Sequence, residues 1–171
     1  GVPQFDRTEL FDKRDYGLVP IAVDTWQGFL FVCLEPDNTP SLSTVMAGIA
    51  ERIAPITLEH QRLVHRVEYE VPANWKVYVD NYLEGYHVPH VHPELVKLYD
   101  FQSYRTECFD WYSLQHSPLS GTANLYTSGE GEAFYYCLFP NYMLNILPGR
   151  LQTNLVLPLG SSLLMVLALF A

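Results

Sequence analysis

Asn74-Trp75-Lys76-Val77-Tyr78-Val79-Asp80-Asn81-Tyr82-Leu83-Glu84-Gly85-Tyr86-His87-Val88-Pro89-His90-Val91-His92-Pro93 is the stretch on which the reading of this chain turns. Its first part sets Trp75, Tyr78, Val79, Tyr82 and Tyr86 along one stripe at helical spacing, so a helix is expected from residue 74 until Pro89 interrupts it. Half of the six histidines follow within six residues, beside Glu84. Neutral imidazole is a good nitrogen donor at physiological pH, and three of them near a carboxylate point to a metal site. The competing reading is a solvated, pH-sensitive histidine cluster. Glu84 and His87 are three apart and share a face of a helix. His87 and His92 are five apart and would diverge on an unbroken helix. The break at Pro89 lets His92 swing back toward His87. His90 stays open at this point, spaced to pair with either neighbour.

Upstream, residues 18–23 and 29–34 are short β-rich runs on either side of Asp24-Thr25-Trp26-Gln27-Gly28, which predicts a hairpin. Residues 35–40, with two prolines, mark the best candidate boundary. Ser41 or Ser43 then caps a helix with Leu42, Val45, Met46, Ile49 and Ile53 on its apolar side, ended by Pro55. Residues 63–71 alternate as a half-buried strand, with Val67, Tyr69 and Val71 on one face. Downstream, residues 109–114, 133–139, 142–147, 151–157 and 163–170 are β-prone runs, with turns at residues 128–131 and at Pro148-Gly149. Such spacing suits an antiparallel sheet with a few helices laid against it.

Composition limits the possible functions. The 171 residues carry 19 acids against 10 Lys and Arg, a net charge of −9, which argues against nucleic acid or an anionic membrane as partner. Hydrophobic residues at 49% and charged ones at 17% exclude a disordered chain. The apolar run 163–171 is too short to span a bilayer, no secretory leader opens the chain, and both ends read as cuts through a larger protein. Cys33, Cys108 and Cys137 are odd in number and widely spaced, with no Cys-x-His or Cys-x-x-His pair, so they are expected to be buried, reduced thiols of a cytoplasmic protein.

Asn74-Trp75-Lys76, Asp80-Asn81-Tyr82, Glu84, Tyr86-His87 and His92-Pro93 together resemble the iron-site signature of the Rieske non-haem iron oxygenase alpha subunits, the family of aromatic-ring-hydroxylating dioxygenases and related monooxygenases. Residues 17–32 are similar to the segment leaving that family's Rieske domain, and Phe139-Pro140-Asn141 and Leu157-Pro158-Leu159-Gly160 resemble parts of its catalytic sheet. The resemblance implies an α+β, helix-grip (START-like) catalytic domain, incomplete at its C-terminus, over residues 41–171. Residues 1–40 would end the Rieske domain and form the linker. It implies that His87 and His92 are two of three ligands to mononuclear Fe(II), the third carboxylate lying outside this chain, because no acid follows Glu132. Glu84 would be the bridge for electrons from the Rieske cluster of a neighbouring subunit, with Asn81 and Tyr86 shaping the pocket and His90 a bystander. The [2Fe–2S] cluster would sit in the missing N-terminal part. A reductase or ferredoxin would bring electrons from NAD(P)H, and the intact enzyme would be a homotrimer acting on O₂ and a small molecule.

The family more often has Asp where this chain has Glu84. The longer acid resembles the members acting on choline and carnitine, for which Tyr99, Phe101, Tyr104, Tyr135 and Tyr136 could supply an aromatic cage, or else simply pack the core. Two further functions remain open on the sequence: a zinc hydrolase using His87, His90 and His92, and a non-catalytic helix-grip ligand-binding domain.

Overall fold

The computed structural model describes residues 8–120 and 131–171. Most of the expected turn at residues 128–131 therefore lies outside the described residues. A hairpin comes first, β1 (Ala22–Trp26) and β2 (Phe29–Cys33), paired in register from Ala22↔Cys33 to Trp26↔Phe29. Its turn is only Gln27-Gly28, both at positive φ (48° and 85°), which matches the right-handed twist of the strands. Asp24, Thr25 and Trp26 are thus strand and not turn.

Seven further strands form one antiparallel sheet in the order β3-β9-β8-β7-β6-β5-β4. They are β3 (His65–Val71), β4 (Arg105–Cys108), β5 (Tyr112–Pro118), β6 (Glu132–Leu138), β7 (Tyr142–Leu147), β8 (Arg150–Pro158) and β9 (Leu164–Phe170). Successive side chains point to opposite faces, and both faces are covered. Phe134, Tyr136, Leu138, Leu144, Ile146 and Leu151 fill one core. Cys137, Met143, Val156, Leu164 and Val166 fill the other. This double burial explains why residues 133–170 carry one charge.

Over the first face lie the aromatic side of the hairpin and two short helices, α1 (Leu42–Val45) and α2 (Ile49–Ile53). Phe29 and Phe31 meet Tyr142 edge-on, with ring centroids 6.2 and 5.9 Å away. The single helix expected after Ser41 is broken at Gly48, whose φ of 82° no helix contains. The apolar positions nevertheless all reach one core, because the kink re-aims Ile49 and Ile53 onto the sheet. On the second face sit α3 (Trp75–Leu83), α4 (Val88–Val91) and α5 (Pro93–Leu98), with Val79 and Leu98 as buried anchors. The α+β expectation holds, with helices laid on an antiparallel sheet.

Other elements depart from expectation. Strand β4 and most of β5 lie outside the run expected at 109–114, and Tyr69 on the edge strand β3 is exposed. Of the three thiols only Cys137 is buried; Cys33 is half-buried and Cys108 exposed. No described helix is long and apolar enough to cross a membrane.

Candidate metal centre

Asn74 caps α3, its Oδ1 accepting from the Lys76 N–H at 3.0 Å while its amide donates to the Ser161 carbonyl at 2.8 Å. The helix runs to Leu83 and stops there, with Glu84 extended (φ −124°, ψ 156°). Its end is six residues short of Pro89, which instead occupies the first turn of α4, where no N–H is needed. Glu84 organises the turn between the helices. Its Oε2 accepts from the backbone N–H groups of Tyr86 and of His87, the latter at 3.2 Å. Its Oε1 lies 2.5 Å from His87 Nδ1. The two residues therefore meet through a turn and not along a helix face.

His92 closes α4, its N–H donating to the Val88 carbonyl at 2.9 Å, and opens α5. These back-to-back short helices bring the His87 and His92 rings to 5.2 Å between centroids, 81° apart in plane. A carboxylate on Nδ1 fixes that proton on His87 and leaves the Nε2 lone pair available. The Asn81 side-chain amide donates to that Nε2 over a long 3.4 Å, a bond that a metal ion on Nε2 would displace. The hydrogen bond to His87 holds the Glu84 carboxyl below the usual carboxylate range, helped by the Tyr86 and His87 N–H groups and opposed by desolvation. With its side chain 34% exposed, Glu84 has much of that effect screened by solvent.

These residues edge a cavity of about 350 Å³, within the range of small-molecule sites. Tyr78, Tyr82, Tyr99, Tyr104 and Tyr135 form its aromatic wall, and among the described residues no Lys or Arg lines it. Burial raises all five phenols, with Tyr104 pushed up to about 12, so the wall is uncharged at neutral pH. The Tyr99 and Tyr135 hydroxyls bond to each other, and the Tyr82 hydroxyl donates to Asn145 Oδ1 at 2.6 Å.

The structure thus brings together Glu84, His87, His92 and Asn81 and leaves others out. Tyr86 is 88% exposed and off the cavity, because the helical stripe that would have turned it inward ends at Leu83. His90 is exposed on α4, apart from the His87–His92 pair, which removes the geometric basis for a three-histidine zinc site. Of the proposed cage, Tyr99, Tyr104 and Tyr135 line the cavity. Phe101 stacks behind Tyr104 at 5.3 Å, and Tyr136 points into the opposite core. Sequence reasoning missed Gln115 and Asn145 as lining residues, both contributed by strands with no motif, and Tyr78, which it placed only on the stripe of the motif helix.

Among the described residues, no three of His, Cys, Asp and Glu converge as a metal site. His87 and His92 fit two ligand places of an iron ion. Glu84 is committed to His87 and two backbone N–H groups and does not fit as the third.

A model of the ring hydroxylating alpha subunit (catalytic domain) family matches residues 58–166. Chloroplastic choline monooxygenase of Arabidopsis thaliana is 32% identical over 168 residues, covering 88% of this chain and 39% of that protein. The carnitine monooxygenase oxygenase subunit of Acinetobacter baumannii is 31% identical over 152 residues, covering 84% and 40%. The solved structure of the quaternary ammonium Rieske monooxygenase CntA with an inhibitor superposes with a TM-score of 0.80 at 26% identity, over 98% of this chain and 47% of that one. The chain spans 39% and 40% of the length of these two curated relatives.

Proposed function

The chain belongs to the ring hydroxylating alpha subunit (catalytic domain) family, and from that premise we propose that it is part of a Rieske oxygenase catalytic subunit that hydroxylates or demethylates an organic cation. The observation that carries this reading is the Glu84–His87–His92 turn at the edge of a tyrosine-walled cavity that, among the described residues, no Lys or Arg lines. His87 and His92 would hold mononuclear Fe(II), which when bound supplies the O₂ activation that side chains alone lack.

The protein's own groups prepare the site. Glu84 keeps the proton on His87 Nδ1, so Nε2 is the ring's acceptor, beside Asn81 at the cavity lining. The tyrosine wall excludes water and offers π faces to a quaternary ammonium group, each such contact worth about 0.5–2 kcal/mol. Choline and carnitine are the substrates named for the two relatives, and they share that group. Glu84, partly exposed, would accept a hydrogen bond from a neighbouring subunit and carry electrons from its Rieske cluster, as a homotrimer supplied by a reductase or ferredoxin from NAD(P)H would require. Residues 1–40 would close the Rieske domain and 41–171 begin the catalytic one.

The test is metal analysis and O₂-dependent turnover of the full-length protein with choline, carnitine and naphthalene. Iron content, and consumption of a quaternary amine that is abolished in His87→Ala and in His92→Ala, are expected. Stoichiometric zinc with O₂-independent hydrolysis would overturn the reading, and turnover of naphthalene alone would overturn the substrate class.

A further inference from the structure

Gln115 is a buried polar side chain, 2% exposed, at the centre of β5 on the cavity face. Its two ends are spoken for. The amide nitrogen donates to the carbonyl of Tyr82, and the amide oxygen accepts from the Tyr104 hydroxyl at 2.5 Å. The assignment of nitrogen and oxygen follows from chemistry, since a carbonyl can only accept and must face the NH₂ group. Tyr82 is the penultimate residue of α3, and its carbonyl is among the last four that a helix leaves without an internal partner. Glu84 follows two residues later and His87 five later. Tyr104 presses on the same turn from another side. A Cβ built on Gly85 would lie 3.0 Å from its ring carbon Cε1.

We infer that Gln115, with Tyr104, is a positioning residue: it ties the central sheet to the end of α3 and so fixes the Glu84–His87 turn that presents His87 Nε2 to the metal. This inference rests on the reading of His87 and His92 as metal ligands. The short turn between Leu83 and Val88 is also tied forward to α4, where the His87 carbonyl accepts from the Val91 N–H at 2.8 Å, and the helix before it is held to the sheet by the Tyr82 hydroxyl on Asn145 Oδ1 at 2.6 Å. The turn's own hydrogen bonds run from the Tyr86 and His87 N–H groups to the Glu84 carboxylate, and from the Val88 N–H to the Gly85 carbonyl. These bonds hold its shape, while Gln115 and Tyr104, alongside the Tyr82–Asn145 bond, hold its place on the sheet. Without the Gln115 strut, Glu84, His87 and His92 would keep their mutual contacts, because α4 links the two histidines. The group would lose its registration against the sheet and any metal ligand held elsewhere.

The experiment uses Co(II) as probe in the metal-stripped full-length protein, read by its visible absorption and by titration. Gln115→Met keeps the side chain's length and apolar volume but cannot donate to Tyr82. Tyr104→Phe keeps the ring against Gly85 and removes only the hydroxyl. Gln115→Met is expected to weaken Co(II) at the histidine pair about tenfold, the lower end of what partners of metal ligands contribute, and to alter its absorption band. Tyr104→Phe should shift both in the same direction by less. The Gln115→Met effect should also be non-additive with Glu84→Gln, because both act on one turn.

His87→Ala separates the two claims. If it leaves Co(II) binding intact, the metal-ligand reading fails and the inference fails with it. If it abolishes binding while Gln115→Met and Tyr104→Phe match the parent in affinity and spectrum, Gln115 only fills the core and the inference is overturned alone. If Gln115→Met does not fold, Tyr104→Phe decides by the same criterion.

Discussion

Tyr104 lines the cavity, bonds Gln115 and packs on Gly85, and its phenol is pushed up to about 12, chiefly by burial and then by Tyr135 and Glu84. Tyr142, on the opposite face of the sheet, is also raised to about 12 by burial. Both are neutral phenols when folded, and in the unfolded chain they ionise near about 10. A folded value above the unfolded one means that these groups stabilise the fold fully below about pH 10 and lose that contribution as the pH rises to about 12. Stability measured by denaturant should therefore fall across that interval, and absorbance at 295 nm should show these phenols titrating late. Tyr104→Phe should lose less stability between the same two pH values than the parent, because its unfolded state no longer gains that ionisation. An equal loss in both proteins would contradict the assignment of the shift to this side chain.

Helices α3 and α4 meet at the turn that holds Gly85, and there a side chain has little room. Gly85→Ala would set a Cβ 3.0 Å from Tyr104 Cε1 and 3.3 Å from Cζ, while Tyr104 is fixed by Gln115 and by Phe101 stacked behind it. Overpacking against a held ring costs about 1–3 kcal/mol, so Gly85→Ala should melt earlier than the parent, and Tyr104→Leu in the same chain should recover part of the loss. No recovery would mean that the strain lies elsewhere. The same elements mark what the sequence could and could not show. Residues 133–170 were legible as strands because nearly uncharged, apolar runs between turns suit a sheet covered on both faces. Strand β4, Arg-Thr-Glu-Cys at an edge, has no such pattern, and its pairing comes only from β5. The break at Gly48 hides inside a helical apolar pattern that continues across it. Glu84, His87 and His92 were legible because they are neighbours in sequence. The stop at Leu83 was not, since a carboxylate capping the next turn leaves no periodic signal, and extrapolating the stripe turned Tyr86 inward when it faces solvent. Gln115 and Tyr104 arrive from other elements, so no spacing links them to the motif.

At the scale of the whole molecule the described chain buries its sheet on both faces yet leaves apolar surface open elsewhere. Val23 pairs with Val32, and Thr25 with Leu30, on the hairpin face turned away from Tyr142; Val23 is 59%, Leu30 67% and Val32 62% exposed. Among the described residues, β3 and β4 each have one sheet neighbour, so their outer backbone groups are available to another strand. The sequence also carries no Cys-x-His pair for a [2Fe–2S] cluster and no acid after Glu132. The 171 residues expressed alone should therefore fail in two separable ways. They should show no steady O₂ uptake with reductase and a quaternary amine, since two imidazoles without a carboxylate hold iron weakly and no cluster feeds it electrons. They should also self-associate with rising concentration in analytical ultracentrifugation, because apolar faces and open strand edges pair readily. Replacing Leu30 and Val32 together by Thr keeps the β preference of both positions while removing apolar surface, so it should reduce association with little change in melting temperature. It should not restore oxygen uptake, which depends on groups these side chains never touch. Steady turnover by the 171 residues would overturn the first expectation, and undiminished association in the double variant would move the sticky surface from the hairpin to the sheet edges.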